Sequence, residues 1–293
     1  MNSRNFIRLL VLAAIWGGSF LCMRIAVPVM GPVALMESRV GLAAVMLGLI
    51  ALRAGQPFWP RRHWPDFLVL GVLNTALPFL LYAWAAQTLG ASLLAILNAT
   101  APIWGAIWSA LWLRQLPGLR AGSGLVLGLA GVGVVVGFDP AAHSSAGLLA
   151  MLAGVMAPCC YGLATTWLKR RKNPPAAAET AQGSMLAASL VLLPVLPFSP
   201  LPALPGVPVL VAVLALGLLC TGLAYRIYFR LVEEAGPTRA LTVTFLVPVF
   251  GVLWGHLLLG ESLSLRSLAG AVIVIAGTML STGFSIRQLF QRS

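Results

Sequence analysis

The side chains able to do chemistry here are amides, hydroxyls and aromatic rings set into apolar sequence. Asn74, Pro78 and Tyr82 lie four apart, Asn98, Pro102 and Gly105 follow at four and three, and Thr244, Pro248 and Gly251 repeat that second rhythm 146 residues later. Residues three or four apart share one face of a helix. A proline frees a carbonyl from the helix ladder, and a nearby glycine lets a ligand or another backbone come close. Such faces bind and release a molecule without breaking its bonds. The same residue types also serve as kinks and packing sites. Their recurrence favours a pathway, with Pro78, Pro102, Gly105, Pro248 and Gly251 as its bending or gating positions.

Aromatic residues near the middle of apolar stretches extend the set. Trp16, Trp104, Tyr161 and Tyr225, with Tyr228, are expected to border a cavity together with Asn74, Tyr82, Asn98 and Thr244. Trp104, Trp108 and Trp112 form a stripe, matched by Phe250 and Trp254; such stripes are more often packing, and Trp108, Trp112 and Trp254 also fit as membrane-interface anchors. Arg39 lies about seven residues into its stretch, roughly 10 Å deep at 1.5 Å per residue, too deep for easy snorkelling. An uncompensated charge at mid-span costs about 2.5 to 3.5 kcal/mol, so Arg39 needs water, a hydrogen-bonding partner or a substrate. Glu37, two residues away on another face, is expected to answer Arg24, and Arg226 to snorkel. With no carboxylate expected at mid-span, the candidate substrates are neutral, zwitterionic or carboxylate-bearing.

To hold such residues the chain must lie in a membrane. Its residues are 59% hydrophobic and 9% charged, with a mean hydropathy of +0.94, too apolar for a soluble chain of 293 residues whose surface must be largely polar. The net charge of +12 does not point to nucleic acid, because no basic segment carries a polar, aromatic-interleaved surface. Cys22, Cys159, Cys160 and Cys220 all lie in apolar stretches and imply neither a disulfide framework nor a metal site. The basic start at Arg4 and Arg8 precedes an apolar run that reaches Val27 and contains Trp16 and Arg24, which reads as a span rather than a cleaved signal peptide.

About 20 mostly apolar residues cross a bilayer as a helix. Ten stretches qualify: 7–27, 32–52, 66–88, 91–113, 120–138, 146–168, 177–197, 207–231, 237–259 and 265–285. Residues 66–131 laid on 212–277 match without a gap at Gly71/Gly217, Thr75/Thr221, Tyr82/Tyr228, Pro102/Pro248, Gly105/Gly251, Trp108/Trp254, Gly124/Gly270 and Gly131/Gly277. Trp16-Gly17 falls on Tyr161-Gly162 at an offset of 145. The expected fold is an all-α integral membrane protein, ten transmembrane helices in two five-helix repeats, 1–138 and 146–285. Lysines and arginines in the loops and at the span ends, Arg61, Arg287 and Arg292 among them, sort fifteen to one onto the side of the N-terminus. Both termini are therefore expected to be cytoplasmic. Five spans per copy makes the copies inverted, with a site near the midplane where they meet. Gly124, Gly128, Gly133 and Gly137 in the fifth span and Gly270 and Gly277 in the tenth are expected to let those helices approach a neighbour closely.

The pattern resembles the drug/metabolite transporter superfamily, and within it the EamA-type family. Ala14-Ile15-Trp16-Gly17-Gly18-Ser19, Ala101-Pro102-Ile103-Trp104-Gly105, Val247-Pro248-Val249-Phe250-Gly251 and the run from Leu259-Gly260-Glu261 to Gly270 and Gly277 carry the likeness. The first copy departs from it with Arg114-Gln115 where the second has Gly260-Glu261. The resemblance implies export of amino acids, other metabolites or toxic compounds from the cell, working as a monomer of two pseudo-dimeric repeats with no cofactor. The expected partners are a small-molecule substrate and membrane lipid. An intramembrane lipid-modifying enzyme is disfavoured: His63 and His143 fall in loops, His256 stands alone, and no metal or nucleophile-base pattern appears. A membrane scaffold without transport would be favoured by the lack of a cavity between the copies. No nucleotide-binding loop is present, which argues against direct ATP drive.

Overall fold

In the computed structural model, which describes residues 3–59, 62–114, 117–137, 144–199, 201–262 and 264–283, the described residues form helices and connecting turns and contain no strand. Arg61, Gln115, His143, Arg287, Arg292 and the last residues assigned to the tenth span lie outside them. The helical runs are α1 Ser3–Arg53, α2 Trp64–Ala85, α3 Ala91–Leu113, α4 Leu119–Gly137, α5 Ser145–Lys169, α6 Ala177–Phe198, α7 Val207–Ala235, α8 Val243–Leu259 and α9 Leu265–Ser281. Among the described residues, six runs, α1, α2, α3, α5, α6 and α7, are long and apolar enough to cross a membrane, while α4, α8 and α9 carry shorter apolar stretches. Leucines and valines such as Leu49, Leu111, Val126, Leu149 and Leu257 point outward, as an apolar solvent allows.

At 51 residues, α1 is too long for one crossing of a core about 30 Å thick, and it is broken at Gly31, where φ is 70° and ψ 163°. An L side chain rarely takes that backbone conformation, and Pro28 and Pro32 on either side remove two ladder donors. Two limbs result, 3–30 and 32–53, where the sequence pattern places its first two spans. The ninth expected span starts later than its apolar pattern suggests: a helical turn at Pro237–Ala240 is separated from α8 by residues 241 and 242. There Thr242 Oγ1 donates to the Arg239 carbonyl at 2.7 Å, a local bond that competes with helix continuation.

Glycines set the crossings, and they do so reciprocally. A Cβ on Gly162 of α5 would meet Gly105 N and Trp104 C of α3 at 2.6 Å, and one on Gly17 of α1 would meet Gly251 N and Phe250 Cβ of α8 at 2.8 Å. In sequence, Gly17 and Gly162 are repeat equivalents, as are Gly105 and Gly251. Each copy's fourth span therefore crosses the other copy's first. The α4–α9 pair behaves the same way: Gly124 faces Gly277 and Ser281, and Gly270 faces Gly131 and Val135. Reciprocal contacts of this kind are what a two-fold relation between two copies produces. The close approach expected of these two glycine-rich helices is thus made by each to the other, though not at Gly133, where an added Cβ would meet nothing within 4 Å.

Candidate functional site

The first limb of α1 brings Trp16, Ser19, Phe20 and Met23 to the centre of the bundle, and its second limb brings Arg39. The unwound segments of α2 and α7 complete the approach. Val72–Ala76 and Ala215–Leu223 are π-helical, a widening frequent at functional sites, and they occupy repeat-equivalent places. Asn74 sits in the first and Cys220 and Thr221 in the second. From α3 and α8, Asn98, Ala101, Thr244 and Val247 face inward.

These residues enclose a cavity of about 280 Å³ whose lining also includes Phe79, Tyr82, Tyr161, Tyr225 and Tyr228. Its deep end, Ser19, Phe20, Met23, Arg39, Phe79 and Tyr82, is buried, whereas Trp16, Asn98, Tyr161, Tyr225, Tyr228 and Thr244 are half-buried. The wall is aromatic. Trp16 packs against Tyr228 and Tyr225 with ring centroids 5.7 and 6.3 Å apart, and Phe20 meets Tyr82 edge-on at 5.5 Å. Tyr82 donates its hydroxyl to Asn98 Oδ1 at 3.2 Å, joining α2 to α3.

Among the described residues, Arg39 is the one charged residue on this lining. Its Nε donates to Thr221 Oγ1 at 3.0 Å, and its guanidinium carbon lies 3.8 Å from the centre of the Phe79 ring. Thr221 Oγ1 in turn donates to the Leu216 carbonyl at 2.8 Å within the π-helical segment. The group is therefore held by one edge and one face. Nη1 and Nη2 take part in none of the described hydrogen bonds, which leaves the planar fork that matches a carboxylate.

The structure brings nine of the ten residues proposed from sequence to this cavity: Trp16, Arg39, Asn74, Tyr82, Asn98, Tyr161, Tyr225, Tyr228 and Thr244. Trp104 is not on the lining. Its backbone lies against Gly162 at the α3–α5 crossing, so that side of α3 is taken up by helix contact, and its Nε1 is buried without a partner. Gly105 and Gly251 are crossing positions, Pro78 and Pro248 are buried, and Pro102 opens the second half of α3 after its break at residues 99–100. The sequence reading leaves out Ser19, Phe20, Met23, Phe79, Ala101, Cys220 and Val247. Ser19 is a polar residue within a span and carries the same signal as Asn98; Phe20, Met23, Ala101 and Val247 are marked only by helical spacing from Trp16, Asn98 or Thr244, and Phe79 and Cys220 by nothing that sets them apart in an apolar chain.

Three further expectations are corrected. Glu37 does not answer Arg24: Arg24 Nη1 donates to the Ala86 and Gln87 carbonyls at 2.7 and 3.0 Å, and Glu37 Oε1 accepts from Ser189 Oγ at 2.6 Å. The end of α2 supplies free carbonyls within reach of Arg24, which a count of charges cannot reveal. A carboxylate is also buried inside a span after all, since Glu37 is only 8% exposed. Trp108 and Trp254 are clamps rather than interface anchors: Trp108 Nε1 donates to the Cys159 carbonyl at 3.2 Å and Trp254 Nε1 to the Ala14 carbonyl at 3.0 Å. These two bonds are repeat equivalents and pin the same crossings that the glycines permit.

Glu261, whose role the sequence left open, accepts from the Ala91 and Ser92 amides at 2.6 and 3.0 Å and from Ser92 Oγ at 2.5 Å. A carboxylate is favoured at a helix N-terminus, where amides are unpaired. It ties the turn after α8 to the start of α3. Across the copies, Arg8 pairs with Glu234 at 2.5 Å and Arg171 with Asp66 at 2.7 Å.

The family model described as the EamA-like transporter family matches residues 6–137 and again residues 147–283. An uncharacterized transporter of Archaeoglobus fulgidus is 24% identical over 274 residues, covering 94% of this chain and 97% of its own. The uncharacterized transporter YvbV of Bacillus subtilis is 23% identical over 281 residues, covering 95% and 92%. A protein of known crystal structure shares the fold with a TM-score of 0.65 at 18% identity, over 96% of this chain and 98% of that one.

Proposed function

The chain belongs to the EamA-like transporter family, and from that premise we propose that it exports amino acids or related zwitterionic or carboxylate-bearing metabolites. The observation that carries the substrate class is Arg39, edge-bound to Thr221 and stacked on Phe79 in an aromatic cavity, where among the described residues nothing takes its Nη fork and no carboxylate stands on the lining. A carboxylate would take the fork, an apolar side chain would lie against Trp16, Phe20, Tyr225 and Tyr228, and an amine would find the Asn74 and Asn98 oxygens. Asn74, Tyr82, Asn98, Tyr161 and Thr244 thus act as substrate-facing polar groups in a mostly apolar wall, as small-molecule sites are built.

The proposed mechanism is alternating access by ten spans, the two limbs of α1 counting separately. The copies are inverted about an axis in the membrane plane, and the cavity lies where they meet. The reciprocal crossings support that relation. Both termini face the cytoplasm of the cell membrane, and the single chain works as a monomer of two pseudo-dimeric repeats. The test is uptake and efflux of a labelled amino-acid panel in vesicles reconstituted with the purified chain, with and without a pH gradient. Flux above protein-free vesicles that competes among panel members is the expected result. No flux for any member would sink the substrate class.

A further inference from the structure

Glu37 is a buried acid that the substrate site does not use. It stands on the second limb of α1, six residues past the Gly31 break, about 9 Å along the helix at 1.5 Å per residue. Its Oε1 takes the Ser189 hydroxyl of α6 at 2.6 Å, its Oε2 has no hydrogen-bond partner, and the residue is 8% exposed. One turn on, a Cβ at Gly41 would touch Glu37 Oε1 at 3.4 Å and Ser189 Oγ at 3.7 Å, so the two helices meet face to face at this point. Among the described residues, no lysine or arginine pairs with the acid. Arg39 of its own limb is turned to Thr221 and Phe79, and none of Asp66 and Tyr82 of α2, Glu179 of α6, or Cys220, Tyr225 and Arg226 of α7 makes a described hydrogen bond or ion pair with it.

Two features separate this site from ordinary packing. An ionised carboxylate inside a span with one hydroxyl donor and no counter-ion carries a large electrostatic penalty, whereas the neutral acid does not. The Glu37–Ser189 bond also joins the first copy to the second, at an interface that must shift if the copies move against each other. The acid is not duplicated, for Gly183 stands 146 positions further on.

We propose that Glu37 is a proton-binding site, neutral while α1 and α6 are in contact and ionised when movement between the copies lets water in. The O–H bond of the acid breaks and its proton passes to water reaching the site from one side of the membrane, and the carboxylate takes a proton back from water on the other side before the contact reforms. One proton is moved in each cycle. This rests on the transport reading above only for what the proton is coupled to.

The test has two arms. Infrared spectra of the purified full chain in lipid bilayers, titrated with pH, should show a protonated-carboxyl C=O band that gives way to carboxylate bands and is missing from Glu37→Gln. Ser189→Ala should move the pH at which the band converts without abolishing it. A wild-type spectrum identical to that of Glu37→Gln at every pH overturns the proposal. In the second arm, vesicles are loaded with the wild type or Glu37→Gln and given labelled L-leucine or L-phenylalanine. One orientation of a one-unit pH gradient should drive about tenfold accumulation by the wild type, the ratio set by one proton per substrate. Glu37→Gln should give no accumulation yet still exchange substrate at equal pH. Accumulation by Glu37→Gln equal to the wild type overturns the coupling. If neither amino acid moves with either protein, the substrate class fails while the infrared arm still decides the proton site.

Discussion

Alanine at Gly162 and alanine at Gly105 should have opposite effects, although the two glycines face each other across one crossing. A Cβ on Gly162 would sit 2.6 Å from Gly105 N and Trp104 C, against an ordinary contact limit of 3.4 Å, an overlap of 3.4 − 2.6 = 0.8 Å. Both atoms are backbone and cannot rotate away, so α3 and α5 must separate. The Trp108 to Cys159 bond, already 3.2 Å, would be stretched with them. Overpacking of this kind costs about 1–3 kcal/mol, offset by at most about 0.5–1 kcal/mol from replacing a helix glycine. At Gly105 the nearest atom to the added Cβ is 4.0 Å away, so only the favourable term remains. The two variants should therefore differ by roughly 2 kcal/mol, a shift of several degrees in Tm for a chain of this size. Thermal unfolding of each purified variant in one detergent, followed by tryptophan fluorescence, measures it. Equal midpoints, or a lower midpoint for Gly105→Ala, would refute the crossing geometry and with it the reciprocal arrangement of the copies.

Arg39→Gln should raise the half-saturating concentration of carboxylate substrates by about 10- to 100-fold, the loss of one or two charge-assisted hydrogen bonds, while leaving their amide analogues within a few-fold; equal losses for both classes would remove Arg39 from the substrate. Asn98→Ala takes away the acceptor of the Tyr82 hydroxyl and should cut transport, and Asn98→Cys in a cysteine-free background should be labelled by a small water-soluble thiol reagent and protected by substrate. Normal transport by the former together with no labelling of the latter from either side would remove position 98 from the pathway. Trp254→Phe and Trp108→Phe should each lose about 0.5–1.5 kcal/mol of stability for one interhelical hydrogen bond, read from the same fluorescence melts, and a wild-type midpoint in both would deny the clamp role. Reporter fusions at the C-terminus and in the loop near His143 should report opposite sides of the membrane; the same side would defeat the inverted topology.

Much of this protein could be read from its sequence, because lipid leaves few options. A chain in lipid can satisfy its backbone only as helices or a closed barrel, apolar runs of about 20 residues select helices, and the match of Gly124 with Gly270 and Trp108 with Trp254 exposed the duplication. Polar and aromatic residues within spans stood out, Asn74, Asn98 and Thr244 among them, and nine of the ten residues chosen as such reach one cavity. Tertiary structure alone decided the rest. Whether a tryptophan lines a cavity or clamps a crossing depends on which neighbour its helix face meets, so Trp108 and Trp254 were ambiguous and Trp104 was wrongly assigned to the cavity. Arg24 and Glu37 looked like a pair because charge is visible in sequence and free carbonyls are not; the end of α2 and Ser189 on α6 were the actual partners. The reason is range. Composition, period and repeat are local along the chain, while partner choice is set by contacts between residues such as Glu37 and Ser189, 152 positions apart, whose meeting no local pattern encodes.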